Sequence, residues 1–195
     1  MRFSDLINCY KNIFVESRIV EPCAVAGRYS LFLKEEDRTA KLKQVEVKNV
    51  PKDAFAVSFQ GINIGNHLTK VFQEDFLKSG ICKCCDYVLL STDGNGTHMT
   101  FIELKSTNVD GSNVRKQFIG ARCFIEYYSA FDYAKSEFSP GLLKYRKKYV
   151  VLSYNNPEKR QTKRKYTDHS TPDSFRHRPM GKQAKSLIEY NELVL

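Results

Sequence analysis

The chain contains 195 residues, of which 42% are hydrophobic and 27% are charged, and its formal net charge at pH 7 is +9. This length is enough for one domain with its own hydrophobic core. No segment has the roughly 20 consecutive apolar residues needed to cross a bilayer, and the first residues lack the apolar region of a signal peptide. These features argue against a membrane protein, and we expect a cytoplasmic location.

The positive charge is concentrated in one part of the chain. Residues 141–182 contain 12 Lys or Arg and three acidic residues, whereas the rest of the chain contains 19 of each kind. Such a block is typical of a surface that contacts a polyanion, although a flexible soluble segment is the alternative interpretation. We expect nucleic acid to bind through these basic residues: Lys147, Lys148, Lys163, Arg164, Lys165, Arg176 and Arg178.

The six cysteines do not form a pattern typical of a disulfide framework or a zinc site. Disulfide frameworks occur mainly in small secreted chains. Cys82, Cys84 and Cys85 are close together, but structural zinc sites use two CxxC-like pairs or a paired HxxxH, and neither occurs here. We therefore expect reduced cysteines, mostly buried as small apolar side chains.

The N-terminal part of the chain, residues 1–62, is predicted to form a helix and a small β-rich extension. Apolar residues recur first at helical spacing and later with period two. The predicted elements are a helix over 3–14 and strands over 28–33, 44–48 and 54–59. Residues 50–53, with Pro51 and Asp53, are predicted to form the turn between the last two strands.

The central part, residues 63–155, is predicted to alternate between helices and strands. The predicted elements are a helix over 66–78, strands over 86–90 and 99–105 joined by a turn at 92–97, a helix over 114–133 and a strand over 149–152. Residues 156–195 form a basic C-terminal arm and a closing segment, and the proline-punctuated stretch 155–182 is predicted to be a long loop or mobile arm. The expected fold is α/β, with all three parts in one compact domain.

Asp86, Glu103 and Lys105 are the residues whose pattern indicates chemistry. Asp86 begins one predicted strand, and the other two lie on its hairpin partner, where residues two apart point to the same face. Two neighbouring carboxylates favour a hard cation such as Mg²⁺, which can polarise a phosphoryl oxygen and lower the pKa of a bound water. A lysine beside them can orient the water or stabilise the transition state. The three residues are therefore suited to phosphodiester hydrolysis.

This arrangement resembles the PD-(D/E)XK nuclease superfamily over about residues 66–154. Asp86, the Glu103-Leu104-Lys105 motif and a following helix that carries Gln117 match the family pattern, although Cys85 replaces the usual proline. The resemblance implies a restriction-endonuclease-like αβββαβ core and hydrolysis of nucleic acid, with DNA favoured over RNA. It also implies that Asp86 and Glu103 bind Mg²⁺ or Mn²⁺ and that Lys105 acts on the water.

The same resemblance implies further site residues. Glu74, on the helix before the first motif strand, is the expected additional acid. His67 on that helix is a possible metal ligand in the manner of RecB-like members, and Gln117 matches a catalytic glutamine. Leu104, between the two motif residues, is included among the expected metal-binding positions. Nucleic acid is the expected partner, with a homodimer or larger complex as a further option.

Two alternatives accompany this interpretation. A second Glu-x-Lys pattern, Glu46-Val47-Lys48, lies in a strand-like segment, but Pro51 and another strand follow it instead of a helix. The main alternative function is a non-catalytic nucleic-acid-binding or assembly subunit on a degenerate nuclease fold. A small-molecule enzyme unrelated to nucleic acid is a third option, which the charge block disfavours.

Overall fold

The structure, a computed structural model, describes residues 14–61, 83–93, 96–106, 109–135, 145–155 and 168–195. In these ranges the chain is mixed α/β, with two β-sheets and one long helix. The elements in chain order are β1 (Ile19–Val20), β2 (Cys23–Val25), β3 (Arg28–Lys34), β4 (Gln44–Lys48), β5 (Phe55–Ser58), β6 (Tyr87–Asp93), β7 (Gly96–Lys105), α1 (Gly111–Lys135), β8 (Arg146–Ser153), β9 (Arg176–Pro179), β10 (Lys185–Glu189) and α2 (Asn191–Val194). The helices predicted over 3–14 and 66–78 lie outside the described residues, except for Phe14.

The larger sheet has six strands in the order β1-β5-β6-β7-β8-β9. The first four strands pair in antiparallel fashion, and β8 and β9 then add in parallel to β7. Because β7 and β8 are parallel, the chain must cross over between them, and α1 makes that connection. The smaller sheet has the order β10-β4-β3-β2, with β10 parallel to β4.

The six-stranded sheet lies between α1 and the four-stranded sheet. Along β7, Phe101 packs in a cluster with Val114 and Phe118 of α1, whereas Ile102 packs in the cluster that contains Leu31 of β3. Successive side chains of a strand point to opposite faces, so this alternation assigns one face of the sheet to each layer. Among the described residues, no helix is long and apolar enough to cross a membrane.

The turn predicted over residues 50–53 is confirmed, but the strands on either side of it, β4 and β5, do not pair with each other. These strands lie in different sheets, and residues 49–54 carry the chain from one sheet to the other. A turn does occur there, because the Ala54 N–H donates to the Pro51 carbonyl at 3.0 Å. Every residue of β5 is buried, since the strand has α1 on one side and the smaller sheet on the other, whereas β4 has one half-buried face. Short apolar segments do not distinguish these two environments by periodicity.

The prediction of a loop or mobile arm over residues 155–182 was wrong for the described residues 172–179. A 3₁₀ turn at Pro172–Ser174 leads into β9, which pairs with β8. β9 is an edge strand whose side chains are partly or fully exposed, so its sequence lacks the apolar alternation of a buried strand. Its last residue, Pro179, suits an edge, where a missing N–H donor costs little.

The cysteines are only partly as expected. Cys23, Cys84, Cys85 and Cys123, the four that lie in described segments, are all free thiols. Cys85 is buried, but Cys23 and Cys123 are exposed, because they face outward from a short edge strand and from α1. Cys9 and Cys82 lie outside the described residues.

Candidate active site

The β6–β7 hairpin brings Asp86 and Glu103 together. Tyr87 pairs with Ile102, so Asp86, one residue earlier, comes opposite Glu103. The Asp86 N–H donates to Oε2 of Glu103 at 3.2 Å, and the Leu104 N–H donates to Oδ2 of Asp86 at 2.7 Å. Each carboxylate is therefore held by the backbone of the other strand, which fixes both side chains on rigid elements.

Lys105 and Gln117 complete a four-residue cluster. The helical spacing that buries Val114 and Phe118 against the sheet also places Gln117 above the end of β7. Its Nε2 donates to Oε1 of Glu103 at 2.7 Å, and its Oε1 accepts from the Lys105 ammonium at 3.2 Å. The same ammonium donates to Oε1 of Glu103. The structure thus brings together Asp86, Glu103, Lys105 and Gln117.

The electrostatics of the cluster are those of acids removed from water. Glu103 is 1% exposed, and the Lys105 side chain is 25% exposed. Burial raises the pKa of Asp86 well above its usual value, and the adjacent Glu103 carboxylate raises it further. Burial also raises the pKa of Glu103, although the Lys105 ammonium opposes that change. Two carboxylates in this position repel each other, and a cation would relieve the repulsion.

The cluster opens onto a cleft of about 390 Å³ between β7 and the loop that joins β3 to β4. The lining residues are Glu35, Asp37, Thr39, Ala40, Lys41, Asp86, Glu103, Leu104, Lys105, Ser106 and Gln117. Five of these come from the β3–β4 loop, which belongs to the smaller sheet. That sheet therefore supplies a wall of the cleft.

Glu35 is a cleft residue that the sequence analysis missed. It follows β3 directly and is half-buried, and burial raises its pKa, while the Lys105 ammonium lowers it. Its negative charge also contributes to the raised pKa of Asp86. The sequence signal is only an acidic run, Glu35-Glu36-Asp37, after a strand. Nothing in that run indicates that Asp86, 51 residues later in the sequence, is a neighbour.

The donor set fits a hard divalent cation. Asp86 and Glu103 offer carboxylate oxygens, which Mg²⁺ and Mn²⁺ prefer, and Leu104, which follows Glu103 on β7, also lines the cleft. The described segments contain no group of three or more His, Cys, Asp or Glu side chains placed to hold a metal. Mg²⁺ commonly binds through one or two carboxylates and keeps several waters, so two are sufficient. The other predicted residues of this kind, His67 and Glu74, lie outside the described residues.

Lys147 and Lys148, predicted to bind nucleic acid, lie at the other end of the sheet from the cluster. Lys147 pairs with Met99, six residues before Lys105 on the same strand, which corresponds to roughly 20 Å along a strand. The ammonium of Lys147 contacts Glu126 at 2.6 Å, and that of Lys148 lies 3.9 Å from Asp168. These two lysines are therefore not part of the cleft.

Arg176 and Arg178 point to the opposite face of the sheet. They pair with Val150 and Leu152, which pack against the smaller sheet, whereas Glu103 and Lys105 face α1. Arg176 donates to the Glu192 carbonyl and Arg178 to the Glu192 carboxylate, each at 2.6 Å. Their geometry is that of residues that attach α2 to the sheet. The remaining predicted contacts, Lys163, Arg164 and Lys165, lie outside the described residues.

The second Glu-x-Lys pattern lies away from the cleft. Val47 is fully buried in the core between the sheets, so Glu46 and Lys48 face the outer side of the smaller sheet. The Glu46 carboxylate accepts from the Ser30 hydroxyl at 2.9 Å. The pattern has no acidic partner strand comparable to that of Asp86 among the described residues, and its environment is that of an ordinary sheet surface.

Comparison with known proteins gives no relative from which the chemistry of this cluster could be transferred. No protein-family model, curated protein or solved structure matches the chain. The functional assignment therefore depends on the geometry of the cluster and the cleft.

Proposed function

We propose that this protein is a metal-dependent nuclease of the PD-(D/E)XK type that hydrolyses phosphodiester bonds, with DNA as the first substrate to test. The observation that carries the proposal is the interlocked pair of carboxylates, Asp86 and Glu103, with Lys105 hydrogen-bonded to one of them. Structural ion pairs usually match each acid with a base. Here a buried acid, Glu103, and a partly buried acid, Asp86, share one lysine, and a bound cation would balance the excess negative charge.

The fold supports the same proposal. β5, β6 and β7 are consecutive neighbours in the sheet, and α1 then leads to β8, which is parallel to β7. Among the described residues this gives the βββαβ order of a restriction-endonuclease-like core, in which the helix predicted over 66–78 would fall between the first and second strands. β5, which lies within the predicted N-terminal extension, would be the first strand of that core.

Each residue of the cluster has a role in the proposed reaction. Asp86 and Glu103 would hold Mg²⁺ or Mn²⁺, with the Leu104 carbonyl as an additional oxygen donor. The bound cation would supply positive charge at the phosphoryl oxygen and lower the pKa of a water. The Lys105 ammonium, fixed by Glu103 and Gln117, would stabilise the negative charge that develops on the phosphate.

The proposal is tested by cleavage assays on single- and double-stranded DNA and RNA, in Mg²⁺, Mn²⁺ or EDTA. We expect cleavage only with a divalent cation. Lys105→Ala should reduce the cleavage rate by about 10² or more, the scale of losing one transition-state donor. Lys105→Arg should not restore it, because a planar guanidinium does not replace a compact ammonium. Lys48→Ala is the matched control and should cleave like wild type.

The outcomes separate the proposal from its main alternative. A non-catalytic binding subunit would bind nucleic acid with salt-sensitive affinity but would cut none of the four substrates with either metal. In that case the cluster would be a structural network, in which Lys105 balances the charge of Glu103 and Gln117 donates a hydrogen bond to it. If Lys48 proved essential and Lys105 dispensable, the site would be assigned to the wrong strand pair.

A further inference from the structure

The loop between β3 and β4 is held in shape by its own acidic residues. The Asp37 carboxylate accepts from the N–H and from the hydroxyl of Thr39, both at 2.8 Å, and the Glu35 carboxylate accepts from the Asp37 N–H at 3.2 Å. The Ala40 N–H closes a turn by donating to the Asp37 carbonyl at 3.1 Å. Hydrogen bonds of this kind stabilise a turn without any ligand. The two acids of the loop therefore have a structural explanation.

The loop is also attached to the end of β7. Ser106 follows Lys105 at the end of β7. Its hydroxyl oxygen accepts a hydrogen bond from the N–H of Lys41 at 2.8 Å and another from the N–H of Leu42 at 3.2 Å. Leu42 is fully buried in the core between the sheets. The backbone of Lys41 is thus fixed on one side by a core residue and on the other by the strand that carries Glu103.

Lys41 has a side chain whose position the fold does not explain. It is exposed and lines the cleft, and its ammonium makes no hydrogen bond or ion pair with any residue in the described ranges. By contrast, Lys105, the other cation of the cleft, is bound to Glu103 and Gln117. The cleft lining contains four carboxylates and two ammonium groups. A polyanion in this cleft would therefore need a positive contact in addition to Lys105 and any bound metal.

We infer that Lys41 binds a backbone phosphate of nucleic acid in the cleft, next to the phosphate that is cleaved, and that Ser106 is the residue that positions it. This inference rests on the proposed function. A lysine at a phosphate acts as a point charge and releases a counterion from the nucleic acid, so its effect does not depend on the base sequence. It also adds a residue of the smaller sheet's β3–β4 loop to the expected binding surface.

The test is a titration of wild type, Lys41→Ala and Lys52→Ala with a single-stranded and a duplex DNA at several salt concentrations. EDTA in one series and Ca²⁺ in another separate binding from cleavage. Lys52 is an exposed lysine in the turn before β5, at the end of that strand remote from Asp86, and is the matched charge control. We expect Lys41→Ala to weaken binding about 3- to 10-fold and to reduce the slope of log K against log salt by about 0.7–0.9, the value for one phosphate contact. Lys52→Ala should change neither.

The role of Ser106 is tested in the same assay. Ser106→Ala should weaken binding less than Lys41→Ala, and the double variant should bind like Lys41→Ala alone, because Ser106 acts through Lys41. Ser106→Thr, which keeps the hydroxyl, should retain affinity, and thermal melting checks that each variant is folded. Equal affinities and slopes for Lys41→Ala and wild type would overturn the inference while leaving the proposed function intact. Binding that depends on Lys41 without cleavage would overturn the proposed function alone, and no binding by wild type would overturn both.

Discussion

Gln117 donates its side-chain amide to Oε1 of Glu103, the same oxygen that accepts the Lys105 ammonium. One carboxylate oxygen on a strand therefore receives a donor from the helix and a donor from its own strand. Because Glu103 is almost fully buried, its orientation depends on these two donors and on the Asp86 N–H.

The first prediction concerns this amide. Gln117→Ala should lower the free energy of unfolding by about 1–2 kcal/mol, since a hydrogen bond to a buried charged group is lost. It should also lower the cleavage rate by about tenfold, because Lys105 loses one of its two partners. Chemical denaturation and a single-turnover assay measure the two effects. Lys116→Ala, on the exposed side of the same helical turn, is the control and should match wild type in both. Unchanged stability in Gln117→Ala would show that the amide does not hold Glu103.

The second prediction is a pH dependence caused by Asp86. A carboxyl with a raised pKa contributes stability below its usual pKa of 3.8, and this contribution is lost as the pH rises through the raised value. At neutral pH, far above the usual pKa of an aspartate, Asp86 therefore destabilises the protein without metal. Asp86→Asn keeps an oxygen for the Leu104 N–H and should raise the melting temperature by a few degrees at pH 7. The difference should shrink towards pH 4, whereas Asp53→Asn, in an exposed turn, should show no such trend.

The third prediction links the same residue to metal. Mg²⁺ or Mn²⁺ should raise the melting temperature of wild type, because a ligand that binds only the folded state stabilises it by mass action. Asp86→Asn and Glu103→Gln should each abolish or strongly reduce that rise. The Asp53→Asn control should keep the full effect. A metal-induced rise that persists in both site variants would place the cation elsewhere and end this assignment.

The fourth prediction concerns Arg178, which the sequence suggests as a nucleic-acid contact and the structure pairs with Glu192. Both side chains are about one-third exposed, so water screens the pair, and Arg178→Ala should lower the free energy of unfolding by less than about 1 kcal/mol. Glu192→Ala should have a similar effect, and the double variant should be no worse than either. Nucleic-acid affinity and its salt dependence should not change. If Arg178→Ala reduced the slope of log K against log salt, this arginine would contact nucleic acid after all.

A fifth prediction separates the basic block from the cleft. Neutralising Lys163, Arg164 and Lys165 together should weaken binding to all sequences about equally and flatten the salt dependence, if these residues meet phosphates. Binding isotherms for several unrelated duplexes measure this. Combined with Lys41→Ala, the losses should add, because the two sets would contact different phosphates. No loss in the triple variant would leave the charge block without a role in binding.

The sequence predicts the elements around the site well because their signals are local. The observed bounds of β6, β7, α1 and β8 lie within three residues of the predicted ones. β7, α1 and β8 each begin three residues earlier than predicted, and β6 ends three residues later. The hairpin turn fixes which strands pair, so the approach of Asp86 to Glu103 follows from the order of residues. The contact of Gln117 follows from its position beside the apolar face of the helix.

Contacts between distant segments are not predictable in the same way. Lys41 and Ser106 meet because the smaller sheet packs on the larger one, and neither segment carries a periodic signal for that packing. β9 is not predicted, because the sequence of an edge strand that contains Arg and His resembles that of a loop. Residues 141–182 do carry the excess positive charge, but their basic side chains do not all lie on one surface. Lys147 pairs with Glu126 and Arg178 pairs with Glu192, at different places on the sheet.

The pairing of β10 with β4 has a consequence for how the chain reaches this fold. Most of the chain separates the two strands, so the ladder closes only after β10 has been synthesised and released. Contacts of such long sequence separation form slowly, since the entropy of the intervening loop is lost before the ladder is gained. Until then β4 has an unpaired edge, and an exposed edge recruits strands from other chains. We therefore expect refolding yields that fall steeply with protein concentration, and a folding rate limited by the docking of the last strand.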